Sequence, residues 1–219
     1  MNPVPGYSGP WQPVEDRGVG SRWSAPTQSL VSAALAIPTI PVWYLRILPS
    51  DQGWDEALDD IWTLALSVVL DVYFVAVVTI FARSSRRRVA ALATALVAVV
   101  VDVGDAALVT FAPFSEVLRW ADGGLVVVSF VLSVAAWGIA RRRHRWWVIG
   151  LAPTLVIAIA LAVLYSSDWL YDNFPDFTGG WIIFWVLWVG GFLFCCVICW
   201  GIDALASAAR AKSAGSRPG

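Results

Sequence analysis

Histidine is almost missing from this chain: His144 is the only one, and it stands in a basic stretch, "RRRHR" at 141–145. That scarcity rules out haem held by two histidines of one chain and leaves no set for a histidine-based zinc site. It also removes any Ser–His dyad from the apolar runs. Lysine is as scarce, with Lys212 alone against 14 arginines, a bias that fits a GC-rich bacterial genome. The three cysteines lie together in one apolar run, "FCCVIC", which excludes a secreted disulfide framework. No G-x-x-x-x-G-K-[ST] loop is present, and the spaced carboxylates and arginines of membrane phosphatases are missing. Charge is sparse as well: 14% of residues, with a net charge of −1, so nothing favours a nucleic-acid partner. No cofactor is expected from these residues.

What the chain has instead is apolar length. Of its 219 residues 58% are hydrophobic, against about half in ordinary soluble domains. They collect in runs of about 20 residues, the length that carries a helix across hydrocarbon. The runs do not alternate as barrel strands would, so helices must satisfy the backbone in lipid. The expected fold is an all-α membrane bundle of six spans with short loops, at about 29–48, 61–82, 89–112, 123–140, 146–165 and 181–203. Residues 1–28, rich in Pro, Gly and Ser, read as a disordered tail and not as a cleaved signal. The six-helix domain extends to 205, and 206–219 reads as a second tail.

The loops separate by charge. "PSDQGWDEALDD" (49–60), "PFSEVLRWAD" (113–122) and "SSDWLYDNFPDFTGG" (166–180) are acidic, whereas "RSSRRR" (83–88) and "RRRHR" are basic. With both termini cytoplasmic, 13 of the 15 basic residues fall inside; Arg46 and Arg119 are the exceptions. Trp54, Trp62, Trp120, Trp169 and Trp181 then mark the outer boundary, and Trp146 and Trp147 the inner one. The expected location is the bacterial cytoplasmic (inner) membrane. The Pro/Gly-rich start before Ala/Val-rich spans looks like that of many small membrane proteins of high-GC bacteria, a likeness of composition that carries over no functional residue.

Polar residues inside the spans form stripes. Asp102 and Asp105 share a helix face, with Thr94 eight residues earlier on the same side. The second span repeats the pattern with Thr63, Ser67 and Asp71, the fourth with Ser129 and Ser133, and the first with Ser32, Thr39 and Arg46. At about 1.5 Å per residue, Asp71, Asp102 and Ser129 fall roughly 16, 20 and 17 Å above the inner boundary, and Asp105 and Arg46 roughly 24 Å. An Arg46–Asp105 ion pair is expected on that basis. Asp71 and Asp102 then either carry protons or line a wet cavity, since a charge at mid-membrane costs roughly 2.5–3.5 kcal/mol on insertion scales. Spans one to four should form this polar core, with spans five and six an apolar flank.

Other features have plainer readings. Cys196-x-x-Cys199 has redox spacing, yet with no shuttle pair left it reads as apolar packing. Trp181, Trp185, Trp188 and Phe192 stripe the sixth span, as a quinone or lipid groove would, and more often as a packing surface does. Gly190-Gly191 permits close packing, and Pro38 and Pro41 should kink the first span. The arginine clusters read as topology determinants before lipid-binding sites. Two functions remain. One is a non-catalytic subunit or partner-binding component of a membrane assembly, or a homo-oligomer, in which Asp71, Asp102, Asp105 and Arg46 dock helices. The other is a proton- or cation-coupled transporter or channel built on the same residues. A membrane enzyme ranks third, for want of a nucleophile–base set or a metal site.

Overall fold

The computed structural model describes residues 25–42, 45, 56–111, 115–141, 145–166 and 177–215. Among these there is no strand. The helices are α1 (Ala25–Ala36), α2 (Glu56–Ile80), α3 (Ser85–Phe111), α4 (Glu116–Arg141), α5 (Leu151–Ser166) and α6 (Phe177–Gly215), and a 3-10 turn at Arg145–Gly150 leads into α5. Five stretches are long and apolar enough to cross a membrane: Ile61–Ile80, Ser85–Phe111, Val117–Arg141, Trp146–Leu164 and Ile183–Ala206. The chain is a multi-pass membrane protein. Its outward faces carry Val72, Val100, Val156 and Val186, exposed as a lipid-facing surface should be.

The first apolar stretch is shorter, Leu30–Val42, and it is broken. Helix α1 stops at Ala36, and a turn at Ile37 and Pro38 precedes renewed helix at 39–42. Proline chemistry accounts for the break. Pro38 and Pro41 have no N–H to offer the carbonyls four residues back. Those carbonyls are served from three residues on instead, Ala34 by the Ile37 N–H at 3.2 Å and Ile37 by the Ile40 N–H at 3.1 Å. The Ala36 carbonyl, which has thereby lost Ile40, accepts from the Thr39 hydroxyl at 2.6 Å. Tyr73 of α2 then pins α1 by donating to the Leu35 carbonyl at 2.8 Å.

Helix starts follow capping rules. Ser84 accepts the Arg87 N–H at 3.4 Å ahead of α3, and Ser115 accepts the Leu118 N–H at 3.2 Å ahead of α4. The second cap corrects a boundary. The charge pattern of 113–122 reads as loop, yet α4 begins at Glu116, and Asp122 stands inside the helix, buried.

Arg141 departs from the loop expectation in the same way. It closes α4, is 2% exposed, and donates to the Phe81 carbonyl at 2.9 Å just beyond α2. In return the Arg83 N–H donates to the Ala140 carbonyl at 3.1 Å. Each contact satisfies a carbonyl that a helix C-terminus leaves without an intrahelical donor, and the guanidinium also faces the negative end of a helix dipole. Arg141→Ala should therefore cost about 1.5–3 kcal/mol, the worth of a buried hydrogen bond to a charged group. A fall in the thermal midpoint of detergent-solubilised protein checks this; an unchanged midpoint would show the clamp to be idle.

Helix α4 is the hub, packing against α2, α3, α5 and α6. Two apolar clusters surround it. One joins Val78, Ala82, Ala91, Ala95, Ala136, Trp137, Ala140 and Cys196. The other joins Phe130, Val134, Trp147, Ala158, Leu161, Cys195 and Cys199. Helix α6 is therefore no flank. Its Phe192 meets Phe74 of α2 and Phe130 of α4 edge to face, each at 6.3 Å, and its Trp188 meets Phe130 at 4.8 Å. The aromatic stripe packs inward at these positions. The three cysteines are buried free thiols, and Cys199 lies so near Gly150 that a Cβ there would meet its Cα at 3.0 Å.

Candidate functional site

The buried seam of α3 explains how the aspartates come together. Ala91, Ala95, Ala98, Asp102 and Asp105 follow one another at steps of four and three, the spacing of a helix–helix contact line. The alanines are buried and let neighbouring backbones approach closely. Toward the acidic end of the helix the same line changes chemistry, and the two aspartates take the places where alanines would continue. Helix α2 runs alongside with Ser67, Asp71, Phe74 and Val78. Helix α4 contributes Asp122, Val126, Ser129, Ser133, Ala136 and Ala140, again at steps of four and three. On all three helices the seam is polar toward the acidic end and apolar toward the basic end, where Val78, Ala95 and Ala140 close it.

Four carboxyl groups neighbour one another in sequence along the polar half. Asp71 of α2 lies close enough to Asp102 to feel its charge, and Asp105 feels both Asp102 and Asp122. Asp105 and Asp122 are neighbours across the α3–α4 contact, near enough for their carboxyls to influence each other. Asp102 accepts the Ser129 hydroxyl at 3.4 Å across the same helix pair. Asp105 and Asp122 are each only 9% exposed. Two oxygens, Asp71 Oδ2 and Asp105 Oδ1, are buried without a hydrogen-bond partner. Carboxylate oxygens so placed are costly unless a proton or a cation compensates them.

The hydroxyls divide into two kinds. Ser67 donates to the Thr63 carbonyl at 3.1 Å and Thr94 to the Ala90 carbonyl at 3.0 Å, so both are satisfied within their own helices. Ser129 reaches across to a carboxyl. Ser133 is half-buried one turn further along the seam. Arg46 lies outside the described residues, and the expected Arg46–Asp105 pair with it; among the described residues Asp105 has Asp122 and Asp102 as neighbouring carboxyls. The Trp62 indole donates to the Leu45 carbonyl at 2.8 Å, tying the chain just before Arg46 to the acidic end of α2. Cys196 and Cys199 lie in the apolar clusters, on the seam's dry side.

Asp122 is the residue that sequence reading missed as part of this group. Two signals point to it. Ser115 followed by Glu116 is a helix-start pattern, which places residue 122 inside the helix. Asp122 also stands seven residues before Ser129, two turns back on the same face.

The arrangement can hold and release positive charge. Grouped carboxyls with a hydroxyl neighbour bind protons or hard cations, and nothing in the group resembles a nucleophile with its base. Among the described residues no group of three or more His, Cys, Asp and Glu side chains has the geometry of a metal site. Compared with protein families, curated proteins and solved structures, the chain matches none.

Proposed function

We propose that the chain is a six-span protein of the bacterial cytoplasmic membrane, with both termini inside, and that Asp71, Asp102, Asp105 and Asp122 form its ion site. In this reading it is a proton- or cation-coupled transporter or channel. The observation that supports it is a chain of neighbouring carboxyls, Asp71 to Asp102 to Asp105 to Asp122, on three helices in the polar half of one seam. Asp71 Oδ2 and Asp105 Oδ1 are buried without a hydrogen-bond partner, a cost that a bound proton or cation would offset. The orientation is supported by Arg83, Arg86, Arg87, Arg88 and Arg141, which gather at the end where α2 and α4 finish and α3 begins. The dry cluster at that same end separates the carboxyls from the inner face, so ions would reach them from outside.

The test is reconstitution. Liposomes holding the protein should dissipate an imposed pH or alkali-cation gradient faster than empty ones. Equal rates for both kinds of gradient would sink the ion-site reading. The second reading, a partner-binding subunit, draws on the apolar outer face of α3, where Val89, Leu96, Val97 and Val100 are exposed. It predicts that protein extracted in mild detergent migrates in a stoichiometric larger complex.

A further inference from the structure

The arginines at the basic end of the bundle are unequally placed. Arg141 is buried and spent on the Phe81 carbonyl. Arg83 and Arg87 are half-buried, whereas Arg86 and Arg88 are exposed at the start of α3. The helix start itself offers little to a ligand. Ser84 already accepts the Arg87 N–H through its hydroxyl at 3.4 Å and the Arg88 N–H through its carbonyl at 2.8 Å. What faces outward is guanidinium. No acid stands between Asp71 and Asp102 in the chain, and among the described residues the one acid at this end is Asp203 of α6, which is buried.

Arg86 also begins an apolar line. Arg86, Val89, Ala93, Val97, Val100 and Gly104 follow at steps of three and four, and all six are exposed. The line climbs the side of α3 turned away from the seam of Ala91, Ala95 and Asp105. A Cβ at Gly104 would meet nothing within 4 Å, so the far end is open. From Arg86 to Val97 the helix rises about 16 Å, close to one leaflet's share of a hydrocarbon core about 30 Å thick. A ligand that uses both the charge and the line must be an anion with an apolar chain. We propose that this face of α3 binds an anionic phospholipid, with the phosphate on Arg86, Arg88 beside it, and an acyl chain along Val89, Ala93 and Val97. Guanidinium forks match phosphate oxygens in pairs, and basic clusters at a membrane surface draw anionic lipid. A soluble anion gains nothing from the apolar line, and a zwitterionic lipid leaves the positive charge uncompensated. Such a site is independent of the ion-site reading and occupies the face on which the partner-binding reading draws.

Quenching by brominated lipid tests this at the site itself. In the full chain with Cys195, Cys196 and Cys199 replaced by alanine, Ala93→Cys carries a bimane fluorophore, and the protein is reconstituted in phosphatidylcholine vesicles. Phosphatidylglycerol with brominated chains should quench the label at a mole fraction at least about fivefold lower than equally brominated phosphatidylcholine, and Arg86→Gln should lose about fivefold of that preference. Arg210→Gln removes the same charge at the same end of the bundle, on α6, and should leave the preference intact. Matching circular dichroism spectra show that each variant is folded. Equal quenching by the two lipids before any arginine is changed overturns the proposal, since charge then selects nothing. A preference that survives Arg86→Gln, or falls equally in Arg210→Gln, overturns it in favour of a diffuse surface potential. Quenching by neither lipid puts a second copy of the chain on this face, and the lipid site falls. None of these outcomes bears on flux, by which the ion-site reading stands or fails.

Discussion

Asp102→Asn abolishes gradient-driven flux, reducing it to the rate of empty liposomes, and leaves the fold in place. The expectation follows from what the amide keeps and what it loses. Its carbonyl oxygen can still accept the Ser129 hydroxyl that Asp102 accepts at 3.4 Å. Its volume is nearly that of aspartate, so the seam between α3 and α4 closes as before. The amide cannot take up or release a proton at accessible pH, and it carries no charge to hold a cation. Stability should hold or rise, because a mid-membrane charge costs roughly 2.5–3.5 kcal/mol on insertion scales and asparagine avoids that cost. Asp71→Asn should behave alike, since Asp71 feels Asp102 directly. Flux measured beside thermal midpoint separates the two functions. Lost flux at an unchanged midpoint fits an ion site, and retained flux means the carboxylates only dock helices.

The second large effect is on stability. Phe130→Ala should destabilise the bundle by about 3.5–5.5 kcal/mol, the sum of two terms. A cavity on the order of 100 Å³ at about 24 cal/mol per Å³ gives about 2.4 kcal/mol, and losing edge-to-face contacts adds about 0.5–1.5 kcal/mol each. The usual gain from leaving water is omitted, because the unfolded reference in a membrane is already in an apolar medium. Phe130 is 1% exposed and meets Trp188 at 4.8 Å and Phe192 at 6.3 Å. It also lies beside Gly191, where a Cβ would stand 3.8 Å from its ring and 3.2 Å from Leu161. The effect should reach the site, because Phe130 follows Ser129 and fixes how α4 is turned toward Asp102. Unfolding in detergent checks the first part, and flux at a temperature where the variant is still folded checks the second. A midpoint equal to wild type would show that the aromatic cluster does not set the packing.

Much of this was legible in the chain itself. Apolar length and charge asymmetry select the spans, because lipid allows few alternatives. The step of three between Asp102 and Asp105, and of four between Ser67 and Asp71, picks out helix faces that the structure turns inward. Asp122 was less legible because it follows Arg119 and Trp120 in a stretch whose charge resembles a loop; only its cap and its register with Ser129 reveal it. Arg141 was hidden by its neighbours for the same reason: a run of arginines reads as one solvated segment, although the first of them closes a helix end. The place of α6 was beyond periodicity altogether. A helix apolar on every side gives no face to the sequence pattern, and only the fit of Trp188 and Phe192 around Phe130 sets it against α4. The break in α1 is foreseeable from Pro38 and Pro41, whereas the rescue of the Ala36 carbonyl by Thr39 is not, since its step of seven from Ser32 assigns Thr39 to a polar stripe.

The most direct test of the account is whether residues 105 and 122 meet inside the membrane. In a chain whose Cys195, Cys196 and Cys199 are replaced by alanine, Asp105→Cys and Asp122→Cys are introduced together and treated with a short thiol-bridging reagent. The account predicts one reagent molecule joining both thiols within a single chain, read by mass spectrometry, and little reaction of Cys at 122 with a membrane-impermeant maleimide. Two reagent molecules on two separate thiols, with position 122 freely labelled from the aqueous side, would return Asp122 to a loop and dissolve the carboxyl group on which the proposed function stands.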